Sequence, residues 1–180
     1  MRFLFLALAC AGCAVTPLTT ANTRGALDVR ELEGTWHVGA STFPMWLDGS
    51  RRTPTFTYSR IVTREGRVSM DDRVAYVTAS GESATIDGVD VQHATVPTHF
   101  TWSGRGFLAA FTSEWDVVSI DAQGRYAIIT FGATLATPAG LDVISRAPLT
   151  DEAFALAQAE IENTPELKAI SAGLQRLKDR

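Results

Sequence analysis

Leu32-Glu33-Gly34-Thr35-Trp36 decides how the rest of this chain is read. Gly34 stands where a short helical lead-in turns into a first strand, and Trp36 opens an extended run, Trp36 to Thr42. A tryptophan buries a large area while its N–H still needs a partner. Such a residue suits the closed end of a β-barrel, where one large plug fills a taper. Far along the chain, Leu141-Asp142-Val143-Ile144-Ser145-Arg146 reads as a strand that ends in arginine just before a helix start. A guanidinium laid on an indole face gains cation–π attraction and offers donors to nearby carbonyls. The other reading is a core tryptophan and an unrelated surface arginine, and spacing alone does not separate the two.

Between these ends the sequence predicts short strands. Trp36–Thr42, Thr53–Thr63, Arg67–Thr78, Ser83–Gln92, Thr98–Ser103, Trp115–Asp121, Arg125–Phe131 and Leu141–Arg146 are rich in β-branched and aromatic residues. Gly-bearing turns separate most of them, and no helical period of useful length occurs before residue 150. An antiparallel sandwich or barrel follows. Eight strands can close around one small ligand. Asp87-Gly88 carries a hairpin signal, so the fourth strand is expected to be bulged or split. Runs such as Val117-Val118 and Ala127-Ile128-Ile129 are apolar on both faces. They fit either a sandwich core or a barrel wall lying under a helix.

The period changes at Leu149-Thr150-Asp151-Glu152-Ala153-Phe154. Thr150 is a candidate N-cap, the two acids favour the positive end of a helix, and Leu149 can staple to Phe154. Phe154, Ala157 and Ile161 share one face, which is expected to lie on the barrel wall. Thr164-Pro165 restarts a helix. Leu167, Ile170, Leu174 and Leu177 then form a stripe, to be buried on the same wall or against a partner or membrane surface.

At the N-terminus, Met1-Arg2 precedes ten uncharged residues, Phe3 to Gly12. This reads as a secretory signal, too short to span a bilayer as a helix. Ala11-Gly12-Cys13 looks like a lipobox, with Cys13 as the acylated first residue of the mature chain. Cys10 is the second candidate, and an ordinary signal cleaved downstream is the third reading. The expected divisions are a signal at 1–12, a tether at 13–27, a barrel at 28–149 and a C-terminal helical segment at 150–180.

The formal charge is −4, with no Lys/Arg run or basic patch, so nucleic acid is not an expected partner. No cofactor, metal site or catalytic constellation emerges. Gly104-Arg105-Gly106 is too short for a phosphate loop. His93 and His99 can approach each other across a turn, yet satisfied histidines are the commoner outcome. Asp71-Asp72 reads as a solvated strand edge or a bulge.

Four blocks in order resemble the lipocalins: Glu33-Gly34-Thr35-Trp36, Trp115 to Asp121, Arg125 to Ile129, and Val143-Ile144-Ser145-Arg146-Ala147-Pro148-Leu149-Thr150-Asp151-Glu152. The sequence is most similar to bacterial outer-membrane lipoprotein lipocalins. The resemblance implies an all-β, eight-stranded up-and-down barrel with C-terminal helices outside. Trp36 would plug the closed end with Arg146 across it, and Gly34 and Asp121 complete the family's structural positions. Ile120 and Ala122 depart from the family's pattern around Asp121. The mouth would be lined by Phe43 to Thr53 and Gly104 to Glu114.

The resemblance also implies a small hydrophobic ligand, of the fatty acid or lysophospholipid class. The protein would be anchored to the outer membrane by its N-terminal lipid and face the periplasm. The alternative is a lipocalin-fold enzyme, isomerase or de-epoxidase-like. Candidate ligand contacts are Val38, Ala40, Trp46, Phe56, Tyr58, Tyr76, Trp102 and Phe111. Val38 and Ala40 follow from alternation after an inward Trp36. The apolar run Phe43-Pro44-Met45-Trp46-Leu47 is expected either to pack permanently on the rim or to act as a lid on the ligand.

Overall fold

The computed structural model describes residues 27–134 and 138–177. The expected lipidation site Cys13, Cys10 and the tether up to residue 26 lie outside the described residues. Strands β1 (Gly34–Ser41), β2 (Arg51–Arg64), β3 (Arg67–Thr78), β4 (Ser83–Gln92), β5 (His99–Gly104), β6 (Thr112–Ile120), β7 (Ala127–Phe131) and β8 (Gly140–Ser145) pair antiparallel with their sequence neighbours. β1 pairs with both β8 and β2, which closes the barrel. Helix α1 (Pro44–Leu47) lies in the first loop, and α2 (Asp151–Asn163) and α3 (Pro165–Ile170) follow the last barrel strand.

A 3-10 turn, Val29–Leu32, crosses the closed end. Trp36 is 1% exposed and donates from Nε1 to the Leu32 carbonyl at 2.8 Å. The Arg146 guanidinium lies 3.8 Å from the centre of the Trp36 ring. It donates to the carbonyls of Glu31, at 2.7 Å, and Thr35, at 3.4 Å. Gly34 has φ +101°, and an added Cβ would stand 3.0 Å from Arg146 Nη1. The backbone angle therefore calls for glycine, and a Cβ there would also crowd the arginine by a few tenths of an ångström.

The core divides into two layers. One fills the barrel from Leu32 and Trp36 up to Phe43 and Trp46. The other lies outside, where Val118, Ile128, Leu141 and Val143 meet Leu149, Ala153, Ala157 and Ile161 of the helical segment. This explains why β7 and β8 are apolar on both faces. Thr150 caps α2 by accepting from Ala153 N at 3.1 Å. Phe154 is only half-buried, and Ala153 is buried with Ala157 and Ile161 on the face that meets the barrel.

Three expectations change. β4 is neither bulged nor split at Asp87-Gly88, and Gly88 pairs with both Asp72 and Gly104 in a continuous ladder. The glycine makes room for a side chain, since a Cβ there would sit 2.0 Å from Trp102 Nε1. The C-terminal stripe is not one helix face. α3 stops at Ile170, the chain turns at Gly173, and a ninth strand, β9 (Gln175–Arg176), pairs with Ala40 and Ser41 of β1. Leu167, Ile170 and Leu174 stay with the outer layer, while Leu177 packs against the inner one. Asp71 faces outward to Arg60 and Arg105, but Asp72 is buried inside the barrel.

Candidate ligand-binding site

The barrel encloses a cavity of about 180 Å³. Its wall includes Phe43, Met45 and Trp46 from the first loop, Phe56 and Tyr58 from β2, Asp72 and Val74 from β3, Ile86 from β4, and Trp102 from β5. Ser113 and Trp115 of β6, Phe131, Gly132 and Asp142 complete it. Alternation along each strand puts these side chains on one face. A second hollow at the rim, about 370 Å³, is lined largely by polar residues including Asp48, Arg51, Arg52, Gln175 and Arg176. Ligand sites are mostly apolar with a few convergent polar groups, which favours the barrel interior.

The first loop folds inward. Phe43 and Trp46 are 7% and 6% exposed. Trp46 meets Phe56 and Tyr76 edge-on, with ring centres 6.5 and 6.2 Å apart. Arg51 caps the Trp46 and Tyr76 rings at 5.9 and 5.1 Å. Deeper in, Trp115 is stacked between Phe100 and Tyr58, with ring centres at 4.5 and 5.6 Å.

Of the residues predicted from sequence, Trp46, Phe56, Tyr58 and Trp102 line the cavity. Val38 belongs to the inner core near the floor instead. Ala40 faces the outer layer, because β1 carries an extra residue at Gly39 that shifts its register against β8 and breaks the alternation. Tyr76 stands at the rim beside Trp46, and Phe111 is 61% exposed on the loop between β5 and β6. Asp121 lies at the turn before β7, where it accepts from Arg125 Nε at 2.8 Å and Nη2 at 2.9 Å and from the backbone N–H of Gln123. These bonds hold its carboxyl well below the usual range. Arg125 continues to Glu152 on α2, so this corner ties the barrel to the helix.

His99 bridges Asp116 and Glu114, both at 2.9 Å, on the outer face of β5 and β6. His93 lies edge-on to it, with ring centres 5.7 Å apart. Among the described residues, no three His, Cys, Asp or Glu side chains converge tightly enough to hold a metal ion.

Sequence reasoning missed a set of buried acids. Asp72, Asp90 and Asp142 are 8%, 0% and 1% exposed. Asp90 accepts from Trp115 Nε1 at 2.7 Å through one oxygen, and its other oxygen has no partner. Asp72 Oδ1 and both oxygens of Asp142 are also unpartnered. Burial raises Asp90 and Asp142 to about 7. Trp115 opposes this at Asp90, and Ser41 and Trp46 oppose it at Asp142 without reaching hydrogen-bond geometry. Burial, then the charges of Asp90 and Asp87, push Asp72 well above the carboxylate range, with Trp102 opposing. The Tyr58 phenol is raised by burial and then by all three acids, so it sits within reach of each. A signal was present in the sequence: each acid occupies an inward position of a period-two strand, as in Met70-Asp71-Asp72-Arg73-Val74.

No family model matches this sequence. No curated protein matches it. Among solved structures, it is similar to lobster apocrustacyanin A1 at 12% identity and a TM-score of 0.59, over 83% of this chain and 78% of that one. It is also similar to H1 crustacyanin of the lobster Homarus americanus, at 12% identity and a TM-score of 0.58, over 82% and 76% of the two chains. A third likeness is to the major allergen Per a 4 of cockroaches, at 14% identity and a TM-score of 0.54, over 84% and 88%. At such identities the likeness is one of architecture. The chain has the lipocalin fold, a closed eight-stranded antiparallel barrel around a cavity with a C-terminal helix packed outside.

Proposed function

We propose that this chain is a binding protein that holds a small, largely apolar molecule inside the barrel. The observation that carries this reading is the aromatic cavity between Trp46 and Trp115, closed at the far end by Trp36. At about 180 Å³ it lies below the roughly 300–1,000 Å³ of drug-sized sites, which favours a compact ligand. A fatty acid or lysophospholipid, the class the family resemblance suggests, would have to keep its anionic head at the rim beside Arg51 and away from the buried acids.

Calorimetric titration with naphthalene-1-methanol, a neutral compact probe, tests the reading. Saturable one-to-one binding is expected. Val74→Phe, which narrows the cavity, should weaken it by about tenfold or more. Val62→Ala, at an exposed side chain of β2 beyond the closed end, should leave it unchanged. Unsaturable heats, or equal binding by both variants, would sink the idea.

A lipocalin-fold enzyme is the second reading. Tyr58 beside carboxyls of raised proton affinity is the kind of grouping that proton-transfer chemistry uses. Recovery of ligand unaltered after prolonged incubation supports binding, and a rearranged product supports catalysis.

The anchor is a separate part of the proposal. Ala11-Gly12-Cys13 after an apolar run motivates acylation at Cys13 and attachment to the outer membrane, facing the periplasm. In cells fed a tagged fatty acid, Cys13→Ser should lose the label and leave the membrane fraction. Undiminished label would move the modification to Cys10 or elsewhere.

A further inference from the structure

We propose that the cavity takes an organic cation: a small amine whose ammonium is met by the cavity-lining carboxyls Asp72 and Asp142, while its apolar body lies against the aromatic wall. This rests on reading the barrel as a binding site and names the chemistry of its ligand.

Unpaired acids carry the inference. Buried carboxylates in native proteins are paired, because an uncompensated buried charge is costly. Among the described residues Asp72 Oδ1 and both Asp142 oxygens have no hydrogen-bond partner, and both acids line the cavity. Asp90, behind Trp115, adds a further unpartnered oxygen. No described Lys, Arg or His side chain forms an ion pair with any of the three. The missing partner is therefore a donor from outside the described residues, and a cation answers it best.

Two further observations narrow that cation. The acids do not converge on a single point as metal ligands would. They are spread around a volume fit for a molecule. The wall between them includes the rings of Trp46 and Trp102, and ammonium groups are attracted to aromatic faces. An anion in the same place would meet the acids and no paired cation.

The surrounding charges set the pH response. Asp87 lies close enough to raise Asp72 and is itself held by Arg73 at 2.6 Å. Asp90 and Tyr58 complete the titratable groups that face the two acids, and Arg51 stands at the rim over Trp46 and Tyr76. An ammonium is bound by the ionised carboxylates, so amine binding should strengthen as pH rises through about 7, where Asp90 and Asp142 lose their protons. An alkylammonium itself stays largely protonated at about pH 8.

Calorimetry on the intact protein with three matched probes tests this: naphthalene-1-methylamine, naphthalene-1-methanol and naphthalene-1-carboxylate. The amine should bind about tenfold or more tighter than the alcohol at about pH 8, with the carboxylate weakest. That preference should shrink severalfold at about pH 5.5, where Asp90 and Asp142 hold their protons. Asp142→Asn and, separately, Asp72→Asn should each weaken the amine severalfold more than the alcohol, so one misfolded variant leaves the other to decide. If the alcohol binds as tightly as the amine, the cation is overturned and the binding site stands. If Asn at both positions leaves the amine's advantage intact, the assignment to these acids is overturned. If no probe binds, the binding reading fails with it.

Discussion

Trp36→Ala is expected to destabilise the protein by about 3–5 kcal/mol, the range for removing a fully buried large side chain. The loss is large because three things go together. The indole fills the closed end at 1% exposure, its N–H is the hydrogen-bond donor to Leu32 O, and its face supports Arg146. Arg146→Ala should cost less, about 1–2 kcal/mol, because the arginine is open to solvent on its outer side and exposed cation–π pairs are worth little. What it removes is one strong donor to Glu31 O and the clamp between the 3-10 turn and the end of β8. Denaturant unfolding of both single variants and the double variant should give a coupling energy above about 0.5 kcal/mol. Strict additivity would mean that the contact contributes nothing of its own.

The closed end was legible for a physical reason. Gly34, Trp36 and Arg146 are tied by local geometry that few residue types can satisfy, so the types themselves carry the information. The strands were legible because Gly-bearing turns punctuate them. β3 and β4 occupy the residues expected, whereas the other six barrel strands differ by a few residues at their ends. Ala40 was misplaced because one bulge residue, Gly39, reverses every later side chain, and a bulge leaves no mark in hydrophobic alternation. Gly88 was misread for the opposite reason. Asp87-Gly88 is a strong local turn signal, but the glycine answers to Trp102, a neighbour on the next strand that spacing does not reveal.

The cavity was half legible. Aromatic residues at inward positions announce a lined interior, and Trp46, Phe56, Tyr58 and Trp102 reach it. The acids were passed over because aspartate is mostly found at the surface. Asp142 shows what outweighed that prior. It sits between Leu141 and Val143, which are buried on the outer layer, so it can only point inward. An acid flanked by apolar residues on a strand buried on both faces has no solvent to reach. Among the described residues neither of its oxygens has a hydrogen-bond partner, which is why the same residue that was hardest to foresee now bears most directly on the ligand.

Those acids also make stability depend on pH in an unusual direction. In the unfolded chain an aspartate titrates near about 3.9, whereas Asp90 and Asp142 are raised to about 7 by burial and Asp72 is raised well above the carboxylate range. Between those values the folded state holds protons that the unfolded chain has released. The stabilising contribution of Asp90 and Asp142 is fully present below about pH 4 and is lost as pH rises through about 7. Asp121 works the other way, since Arg125 and backbone donors hold its carboxyl low, but that loss falls in stronger acid. The ligand-free protein should therefore be most stable in mild acid and weaken towards about pH 8. Asp142→Asn removes one proton-linked group while keeping its shape. At about pH 8 it should be more stable than the parent by roughly 2–4 kcal/mol, an upper range because the unfolded chain and local relaxation absorb part of the shift. At about pH 4.5 the advantage should nearly vanish, since both side chains are then uncharged in the fold. Urea midpoints across that range decide the matter. A parent protein that gains stability from about pH 5 to 8, or an Asn variant with the same advantage at both ends, would mean that Asp142 is not held protonated in the barrel.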